Sequence, residues 1–442
     1  CTRSLVGSEM CIRDRAWRLI TDRNPFPATM GRICPHPCER HCNRAELDQP
    51  LAINAMERFL GDFGIDIGLP LPRGNSADCE EWPGVIGAGP SGLSFAYQMA
   101  RRGYRVTVYD AREKAGGMLR YGVPDYRLPQ AVLDAEIGKI LDLGVELEMN
   151  TAIGRDLGLD ELRRRHQGIY LGIGTQKGRG LPVPGGAGPG VWTGSDYLAR
   201  VNGGDAPDLG QRVIVVGGGN TAMDAARCAR RAGASVKVLY RRSLDEMPAI
   251  AAEVEEAVEE GVELLLLTMP ARLEREADGS LATVVAHRTE LAGTDASGRG
   301  RPVKLAGSEF RLEADSVIAA IAQVPLLDGL ESLDHEGEWL ITDRQGEIDD
   351  GVFAGGDVLN PGIAGQAILQ GRLAAERLHA RFRGLEPFED NDPHTPDIHA
   401  EKIMFASRPQ SEPAQPRRLL GAERVSQGMA EVASTISEEQ FL

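Results

Sequence analysis

Two glycine fingerprints of the same kind occur in this one chain, and together they restrict its fold more than any other feature. The first lies in GVIGAGPSGLSFAYQMARRGYRVTVYD, where glycines have G-x-G-x-x-G spacing and an acid follows the next strand. Such glycines allow a tight turn and bring a pyrophosphate to a helix N-terminus, while the acid binds a ribose hydroxyl. The stretch therefore predicts a Rossmann-type nucleotide site. Its candidate residues are Gly87, Gly89, Pro90, Ser91, Gly92 and Asp110.

The second fingerprint, RVIVVGGGNTAMDAARCARRAGASVKVLYRR, ends in two arginines where the first ends in an acid. Guanidinium groups bind a 2′-phosphate, which a carboxylate would repel. The first site is therefore predicted to bind FAD, whose adenosine has a free 2′-hydroxyl, and the second to bind NADP. The alternative interpretation of the arginines is a solvated strand end. The candidate residues are Gly217, Gly219, Asn220, Thr221, Ala222, Arg241 and Arg242.

A third segment, GVFAGGDVLNPGIAGQAILQG, is expected to return to the first site as a strand, a turn and a long helix. In flavoproteins with two dinucleotide sites, such a turn presents its acid to the flavin side chain, and the positive helix N-terminus faces the ring. The candidate residues are Gly356, Asp357 and Gln366. Residues 170–175 and 317–325 are predicted to connect the two nucleotide domains.

These segments predict an α/β fold with two Rossmann-like dinucleotide-binding domains. The NADP domain is inserted in the FAD domain, and a small helical domain precedes both. The predicted boundaries are 16–80 for the helical domain, 81–195 with 315–385 for the FAD domain, 196–314 for the NADP domain, and 386–442 for a linker or tail.

Three cysteines stand four residues apart in GRICPHPCERHCNR, at Cys34, Cys38 and Cys42. The chain has 7 cysteines, and this clustering is not the pattern of a disulfide framework. A zinc site that uses His36 or His41 is chemically possible, because Cys and His ligands suit tetrahedral zinc, but this spacing is not a usual zinc motif. The residues alone leave the metal open.

From about residue 16 to about residue 385, the chain resembles the small, or β, subunit of bacterial glutamate synthase. It is also similar to the flavin subunit of ferredoxin-dependent NADPH transhydrogenases and to the N-terminal region of dihydropyrimidine dehydrogenase. The motifs that carry the resemblance are GRICPHPCERHCNRAELDQPLAINAMERF, AGGMLRYGVPDYRLP, GGGNTAMD with YRRSLDEMP, and AGGD. The resemblance implies that Gly117, Met118, Leu119 and Arg127 line the FAD site. The alternative is that YGVPDYRLP forms a rigid surface loop.

The resemblance also implies that the cysteine segment binds a [4Fe–4S] cluster, a role suited to thiolates. Many members of the family have a cysteine where this chain has Met30. In relatives without a full thiolate set, an acid or amide of the following helix is the fourth ligand, and the matching residue here is Glu57. The implied ligands are therefore Cys34, Cys38, Cys42 and Glu57. The competing fourth ligand is a cysteine from an N-terminal segment that this sequence lacks.

The function implied by the resemblance is that of an NAD(P)H-dependent oxidoreductase subunit for electron input. It oxidises NADPH through FAD and passes electrons singly to iron–sulfur clusters and to a large catalytic or ferredoxin-type partner subunit. The flavin carries the chemistry, so no catalytic side chain is predicted. A dithiol–disulfide reductase would need a C-x-x-C motif near the flavin. The predicted NADP domain of this chain has only one candidate thiol, Cys228, so this activity is rejected. The alternative that stays open is a cluster-bearing assembly or electron-transfer subunit without its own NADPH turnover.

Composition excludes two classes of partner. The net charge of −16 argues against nucleic acid and anionic membrane surfaces. No apolar run approaches the roughly 20 residues of a membrane span. Together with the clustered cysteines, these properties predict a cytoplasmic protein.

Both ends of the sequence are unusual. SLVGSEMCIRDR, residues 4–15, resembles the translation of a transposase-type sequencing adapter and follows no helix or strand pattern. Residues 1–15 are therefore interpreted as foreign, with an ordinary tail as the alternative, and Cys1 and Cys11 are not counted as ligands. The tail is interpreted as truncated, because it is similar to a linker that leads into a cysteine-rich ferredoxin module in some relatives.

Overall fold

A computed structural model describes residues 5–46, 48–74, 78–295, 298–386 and 413–441 of the chain. The α-helices in chain order are α1 (Leu5–Thr21), α2 (Pro27–Ile33), α3 (Pro37–Arg40), α4 (Ile53–Asp66), α5 (Pro90–Ala100), α6 (Met118–Tyr121), α7 (Gln130–Leu141), α8 (Leu159–Arg165), α9 (Gly194–Asn202), α10 (Asn220–Arg231), α11 (Ala251–Glu259), α12 (Ala364–Arg383), α13 (Gly421–Ser426) and α14 (Glu438–Phe441). Short 3₁₀ turns lie at Asn43–Glu46 and Leu244–Glu246.

The strands in chain order are β1 (Gly84–Ile86), β2 (Thr107–Tyr109), β3 (Glu146–Glu148), β4 (Ile169–Leu171), β5 (Lys177–Gly178), β6 (Val191–Thr193), β7 (Arg212–Val216), β8 (Ser235–Leu239), β9 (Glu263–Leu265), β10 (Thr268–Arg275), β11 (Leu281–Thr294), β12 (Gly300–Lys304), β13 (Phe310–Glu313), β14 (Ser316–Ala319), β15 (Gln323–Val324), β16 (His335–Glu336), β17 (Trp339–Leu340), β18 (Glu347–Asp349) and β19 (Val352–Ala354).

The first sheet has the order β18-β19-β4-β1-β2-β3 and is parallel except at its β18 edge. Its central strand β1 leads into the fingerprint helix α5, and the late strand β19 leads into α12. The two helices pack closely, because a Cβ on Gly371 of α12 would collide with the carbonyl of Ser91. The third sequence segment therefore returns to the first fingerprint, as predicted.

The second sheet has the order β6-β14-β7-β8-β9 and is wholly parallel. Strands β10 to β13 form a separate antiparallel sheet attached to it. All of these strands lie between β4 and β19 in sequence, so the second nucleotide fold is inserted in the first. The predicted nesting of two Rossmann-like domains is confirmed.

The connections between the two sheets differ in detail from the prediction. Residues 170–175 and 317–325 do lead from one sheet to the other. Strand β5, which follows the first stretch, pairs with β15, which lies within the second, as an antiparallel ribbon. However, β6 and β14 pair with the strands of the second sheet, although the predicted boundaries assign them to the first domain. The difference arises because neither strand carries a fingerprint glycine that would mark its sheet.

The N-terminal helices pack on the first nucleotide fold. Trp17 of α1 is 1% exposed, and its indole N–H donates to the carbonyl of Pro70 at 3.0 Å. The buried carboxylate of Glu136 on α7 accepts the backbone N–H groups of Ala28 (2.6 Å) and Thr29 (2.9 Å) at the start of α2. These contacts satisfy amides that a helix start leaves unpaired, and they fix α2 against the first nucleotide fold.

Two predictions about the chain ends are affected. Residues 4–15 are expected to follow no helical pattern. Helix α1 begins at Leu5, so most of this segment is helical and continues into the turn that contains Trp17. Residues 387–412 of the predicted linker lie outside the described residues. The remainder, 413–441, packs on the domains and contains α13 and α14. Within the described residues, no helix has the length and apolar character needed to cross a bilayer.

Candidate functional site

One cavity of about 690 Å³ lies at the carboxyl edge of the first sheet and extends to the start of α10 and to the cysteine segment. It is lined by residues from all three predicted domains. The predicted site residues that line it are Cys34, Gly87, Gly89, Pro90, Ser91, Asp110, Gly117, Met118, Leu119, Arg127, Asn220, Thr221, Gly356 and Asp357. The structure therefore brings most of the FAD candidates together with the first residues of the NADP helix.

The glycines of the first fingerprint serve different purposes. Gly87 has φ +101°, a conformation that disfavours other residues, and a Cβ there would collide with the carbonyl of Gly172. A Cβ on Gly92 would collide with the carbonyl of Gly87. Gly89 differs, because the nearest atom to its Cβ position is Gly117 Cα at 3.8 Å. Gly89 thus leaves open the space that a pyrophosphate needs at the N-terminus of α5.

Asp110 directly follows β2, beside this turn. Its carboxylate accepts the backbone N–H groups of Ala88 (2.7 Å) and Arg112 (2.8 Å), which fix its orientation in the cavity wall. Burial raises the pKa of Asp110 above its ordinary value. Each carboxylate oxygen retains a free lone pair, so the side chain is suited to accept hydrogen bonds from a ribose.

The late segment forms another part of the cavity wall. Asp357 lines it, and its carboxylate accepts the backbone N–H of Gly362 at 3.1 Å just before α12. Gln366 does not border the cavity itself, and its Oε1 lies close to Gly362. At the start of α12, Gly365 faces the methyl group of Met30, with 3.6 Å between Met30 Cε and a Cβ on the glycine. The start of α12 therefore lies between the flavin cavity and the cysteine segment.

The second fingerprint has the same geometry as the first. Gly217 has φ +149°, and a Cβ there would collide with the carbonyl of Ala320. Ala222 is fully buried in the domain core. Gly219, the N-cap of α10, has no atom within 4 Å of its Cβ position. As at Gly89, no protein atom fills the space beside this glycine, so a ligand could occupy it.

The two arginines at the end of β8 have different surroundings. Arg241 is exposed. Arg242 is 2% exposed, its Nε donates to the carbonyl of Gly300 at 2.8 Å, and its guanidinium forms an ion pair with Asp295. Arg242 therefore anchors the β11–β12 hairpin, and its predicted contact with a 2′-phosphate stays a prediction.

Arg127 joins the two nucleotide domains. Its Nη1 lies 2.7 Å from Asp224 Oδ2 of α10, and its Nε lies 3.1 Å from Glu253 Oε1 of α11. Burial alone would lower the pKa of this guanidinium, but the two carboxylates raise it above its ordinary value. Sequence analysis missed Asp224 and Glu253, although Asp224 ends the GGGNTAMD motif and also lines the cavity.

The cysteine segment borders the flavin cavity through Cys34, which lies beside Met30. Burial raises the pKa of the Cys34 thiol, and the nearby Glu57 and Cys38 raise it further. The Glu57 carboxylate accepts a hydrogen bond from Asn24 Nδ2 at 2.8 Å, and burial raises its pKa to about 7. Cys42 instead accepts the backbone N–H of Leu51 at 3.5 Å.

The thiol groups of this segment and the nearby carboxylate are of the chemical types that bind the iron of an iron–sulfur cluster. Cys34, Cys38 and Cys42 are free thiols, and Glu57 is close enough to the first two for their charges to interact. Among the described residues, no three such side chains converge on one point. His36, one of the two candidate zinc ligands, has other partners, because its Nδ1 lies 3.2 Å from the carbonyl of Cys34 and its Nε2 lies 3.7 Å from Glu39.

Two family models match the chain. Residues 84–371 match the model described as pyridine nucleotide-disulphide oxidoreductase. The chain belongs to this family. Residues 10–68 match dihydropyrimidine dehydrogenase domain II, 4Fe-4S cluster. The predicted cofactor set of FAD, NADP(H) and a [4Fe–4S] cluster is confirmed by these two matches, whereas the individual ligands stay predictions.

Curated relatives confirm the predicted resemblance. The chain is 36% identical over 393 residues to the glutamate synthase [NADPH] small chain of Azospirillum brasilense, covering 83% of this chain and 81% of the relative. It is 39% identical over 402 residues to the NADP(+)-dependent formate dehydrogenase subunit beta of Moorella thermoacetica, with 83% and 56% coverage. It is 38% identical over 318 residues to an NADPH-Fe(3+) oxidoreductase subunit beta of Geobacter sulfurreducens, with 71% and 47% coverage. The chain thus spans about half the length of the last two relatives.

Solved structures support the fold. FprA from Mycobacterium tuberculosis in complex with NADPH has a TM-score of 0.60 and 18% identity, over 70% of this chain and 87% of that chain. Lactococcus lactis thioredoxin reductase has a TM-score of 0.52 and 20% identity, over 69% of this chain and all of that chain. At these identities, the likeness concerns the fold alone.

Proposed function

We propose that the chain is an electron-input subunit that oxidises NADPH through FAD and passes electrons singly to iron–sulfur clusters and a partner subunit. The observation that carries this proposal is the single cavity bordered by the first fingerprint, the start of α10 and Cys34. A coenzyme, a flavin and a cluster held along one cavity would be close enough to exchange electrons directly.

The residues of the second fingerprint would bind and orient NADPH. The open space at Gly219 admits the pyrophosphate to the N-terminus of α10. Arg241 is exposed, which supports the proposal that its guanidinium would pair with the 2′-phosphate. Asn220 and Thr221 line the cavity, so they would contact the part of the coenzyme that enters it.

The residues of the first fingerprint would hold FAD. Gly89 leaves room for the pyrophosphate, Asp110 accepts hydrogen bonds from the ribose, and the start of α12 directs its positive end into the cavity. FAD, when bound, supplies the exchange between a two-electron hydride and single electrons. The chain's own task is to bind, to orient and to exclude water.

The cysteine segment would hold the first one-electron acceptor. Cys34, Cys38 and Cys42 are the proposed thiolate ligands, and Glu57 is the proposed fourth ligand. Cys34 lies in the cavity wall itself, so a cluster on this segment is adjacent to the flavin site. Its position supports transfer from flavin to cluster within this chain.

The final acceptor is proposed to lie on a large catalytic or ferredoxin-type partner subunit. The relatives are named as a small chain or as a subunit beta, which supports a role within a larger assembly. The chain covers only 56% and 47% of two of these relatives, so the overall reaction and its substrate belong to the proposal.

Anaerobic titration of the purified protein with NADPH tests the proposed function. We expect stoichiometric FAD, a flavin absorption that NADPH bleaches, and a reduced-cluster paramagnetic signal that follows the bleaching. A protein with full flavin and iron content whose flavin is not reduced by NADPH would contradict the proposal. That result would favour a cluster-bearing subunit without its own NADPH turnover.

Coenzyme preference should depend on Arg241 more than on Arg242. Arg241→Gln removes a charge-assisted pair worth about 1.5–3 kcal/mol, so kcat/KM for NADPH should fall about tenfold or more while that for NADH stays unchanged. Arg242→Gln breaks the ion pair with Asp295, so it should lower the thermal stability and affect both coenzymes equally. Diaphorase assays with NADPH and NADH distinguish the two variants. Equal loss of NADPH selectivity in both would show that Arg242 also contacts the phosphate.

A further inference from the structure

The first half of the C-terminal segment 413–441 contacts the NADP domain through residues 418–424. Arg418 Nη1 lies 2.8 Å from Glu256 Oε1 of α11, and Arg424 Nη2 lies 3.0 Å from Glu259 Oε2. A Cβ on Gly421 would lie 2.6 Å from the carbonyl of Glu259, so α13 packs directly on the end of α11. The segment is therefore not a free linker at this end.

The middle of the segment contacts the loop that carries Tyr126 and Arg127, which lies between the two nucleotide domains. Val432 is 7% exposed in the core of the NADP domain, and its backbone N–H donates to the carbonyl of Tyr126 at 3.1 Å. The Tyr126 ring is fully buried between the guanidinium groups of Arg227 (4.5 Å) and Arg231 (4.0 Å) of α10. Arg231 also donates to the carbonyl of Gly428. The segment thus fixes this loop to α10.

The adjacent residue binds the cluster domain. Glu431 Oε1 accepts from Arg32 Nε of α2 at 2.7 Å and from Arg58 Nη2 of α4 at 2.6 Å. Both arginine side chains are about 5% exposed, and both also pair with Asp62. Arg58 donates further to the carbonyl of Ala433 at 2.5 Å. Buried guanidinium groups depend on such partners, so loss of the Glu431 charge leaves them poorly compensated.

The end of the segment packs on the same helices. Ile436 is 2% exposed in a small apolar cluster with Ala55 and Phe59 of α4. The ring of Phe441 stacks on that of Phe59, with 4.3 Å between the centroids. The segment therefore has apolar as well as ionic contacts with the cluster domain.

We propose that residues 413–441 form an interdomain clamp that fixes the NADP helices α10 and α11, the loop with Tyr126 and Arg127, and the helices α2 and α4 on either side of the cysteine segment relative to one another. Glu431 and Val432 are its centre, because neighbouring residues bind opposite domains. Val432 holds Tyr126, whose neighbour Arg127 lines the cavity, and Glu431 holds Arg32, which lies two residues before Cys34. Glu431 is thus a positioning residue for the approach of the two sites. The clamp itself does not depend on the proposed function.

Hydrogen exchange tests the clamp. It is measured on the full chain, first on the protein as purified and then in the presence of saturating NADP⁺. In Glu431→Gln, we expect protection of α2, α4 and α10 to fall together by about fivefold or more. In the parent protein, NADP⁺ should raise the protection of α2 and α4 as well as that of α10, and Glu431→Gln should abolish this distant effect. Glu423→Gln is the matched control, because this exposed carboxylate caps its own turn at Leu420.

The outcomes separate the clamp from the proposed function. If Glu431→Gln lowers the protection of α2 and α4 but not that of α10, Glu431 only makes a local contact with α2 and α4, and the clamp is overturned. Unchanged protection in all three helices would also overturn it. If NADP⁺ does not bind the parent protein, the proposed function fails while the first measurement still decides the clamp. Glu431→Asp keeps the charge on a shorter side chain, so it should lower the protection of α2, α4 and α10 together by a smaller factor. It replaces the glutamine variant if that variant does not fold, and unequal changes in the three helices would then overturn the clamp.

Discussion

Gly89→Val should yield a folded protein that lacks FAD and still binds NADP⁺. In the structure, the nearest atom to the Gly89 Cβ position is 3.8 Å away, and the backbone φ of −82° is one that valine adopts. The fold therefore tolerates the side chain, but the pyrophosphate does not, because a branched side chain occupies the space at the start of α5. Flavin content should fall to about one tenth of the parent value or less, which needs a loss of only about 1.4 kcal/mol.

Gly219→Val is the matched control for this prediction. Gly219 has the same place as N-cap of α10, an extended backbone with φ −93°, and no atom within 4 Å of its Cβ position. This variant should keep its flavin and lose NADP⁺ binding by about tenfold or more. Flavin absorbance and calorimetric titration with NADP⁺ measure the two effects separately. Normal flavin content in Gly89→Val would show that the FAD site is misplaced.

The nested fold could be predicted because its determinants are local. Gly87 and Gly217 have positive φ values, and the backbone of the strand–turn–helix unit needs glycine there whatever surrounds it. The pattern of spacing, helix and following strand is therefore readable in the sequence. The late segment with Asp357 was predictable for the same reason, since a short strand, a turn and a long helix follow one another directly.

Other parts of the site depend on residues that are distant in sequence. The sequence shows Arg242 beside Arg241, but its partner Asp295 lies 53 residues away on a hairpin with no motif. The same holds for Arg127 and Asp224, which lie 97 residues apart. Such pairs follow from how two domains pack, and no local spacing encodes them. This is also why the segment around Glu431, which looks like a polar linker, was not expected to be buried against three domains.

The cysteine segment lies between these two cases. The three thiols were evident from their spacing, and the family match supports the [4Fe–4S] assignment. Their position beside the flavin cavity was not evident, because it depends on α2 packing against α7 through Glu136. The fourth ligand rests on the resemblance and on the proximity of Glu57 to Cys34 and Cys38.

Replacement of Glu57 should change the iron content and the potential of the cluster in a defined way. Carboxylate is a poorer donor to iron than thiolate, and exchange of one ligand type shifts the potential of a cluster, as histidine does in Rieske centres. Anaerobically reconstituted parent protein should contain about four irons per chain. Glu57→Ala should lose one iron or form a three-iron cluster, whereas Glu57→Cys should keep all of them with a lowered potential.

Glu46→Ala is the matched control for the Glu57 variants, because this carboxylate is exposed and lies just after the last cysteine of the segment. It should leave the iron content and the potential unchanged. Iron analysis, electron paramagnetic resonance of the reduced protein and a redox titration measure the effects. Full iron content and an unaltered potential in Glu57→Ala would show that another group is the fourth ligand. One zinc and no iron after reconstitution would remove the first one-electron acceptor, and the proposed path from NADPH to a partner would have to be abandoned.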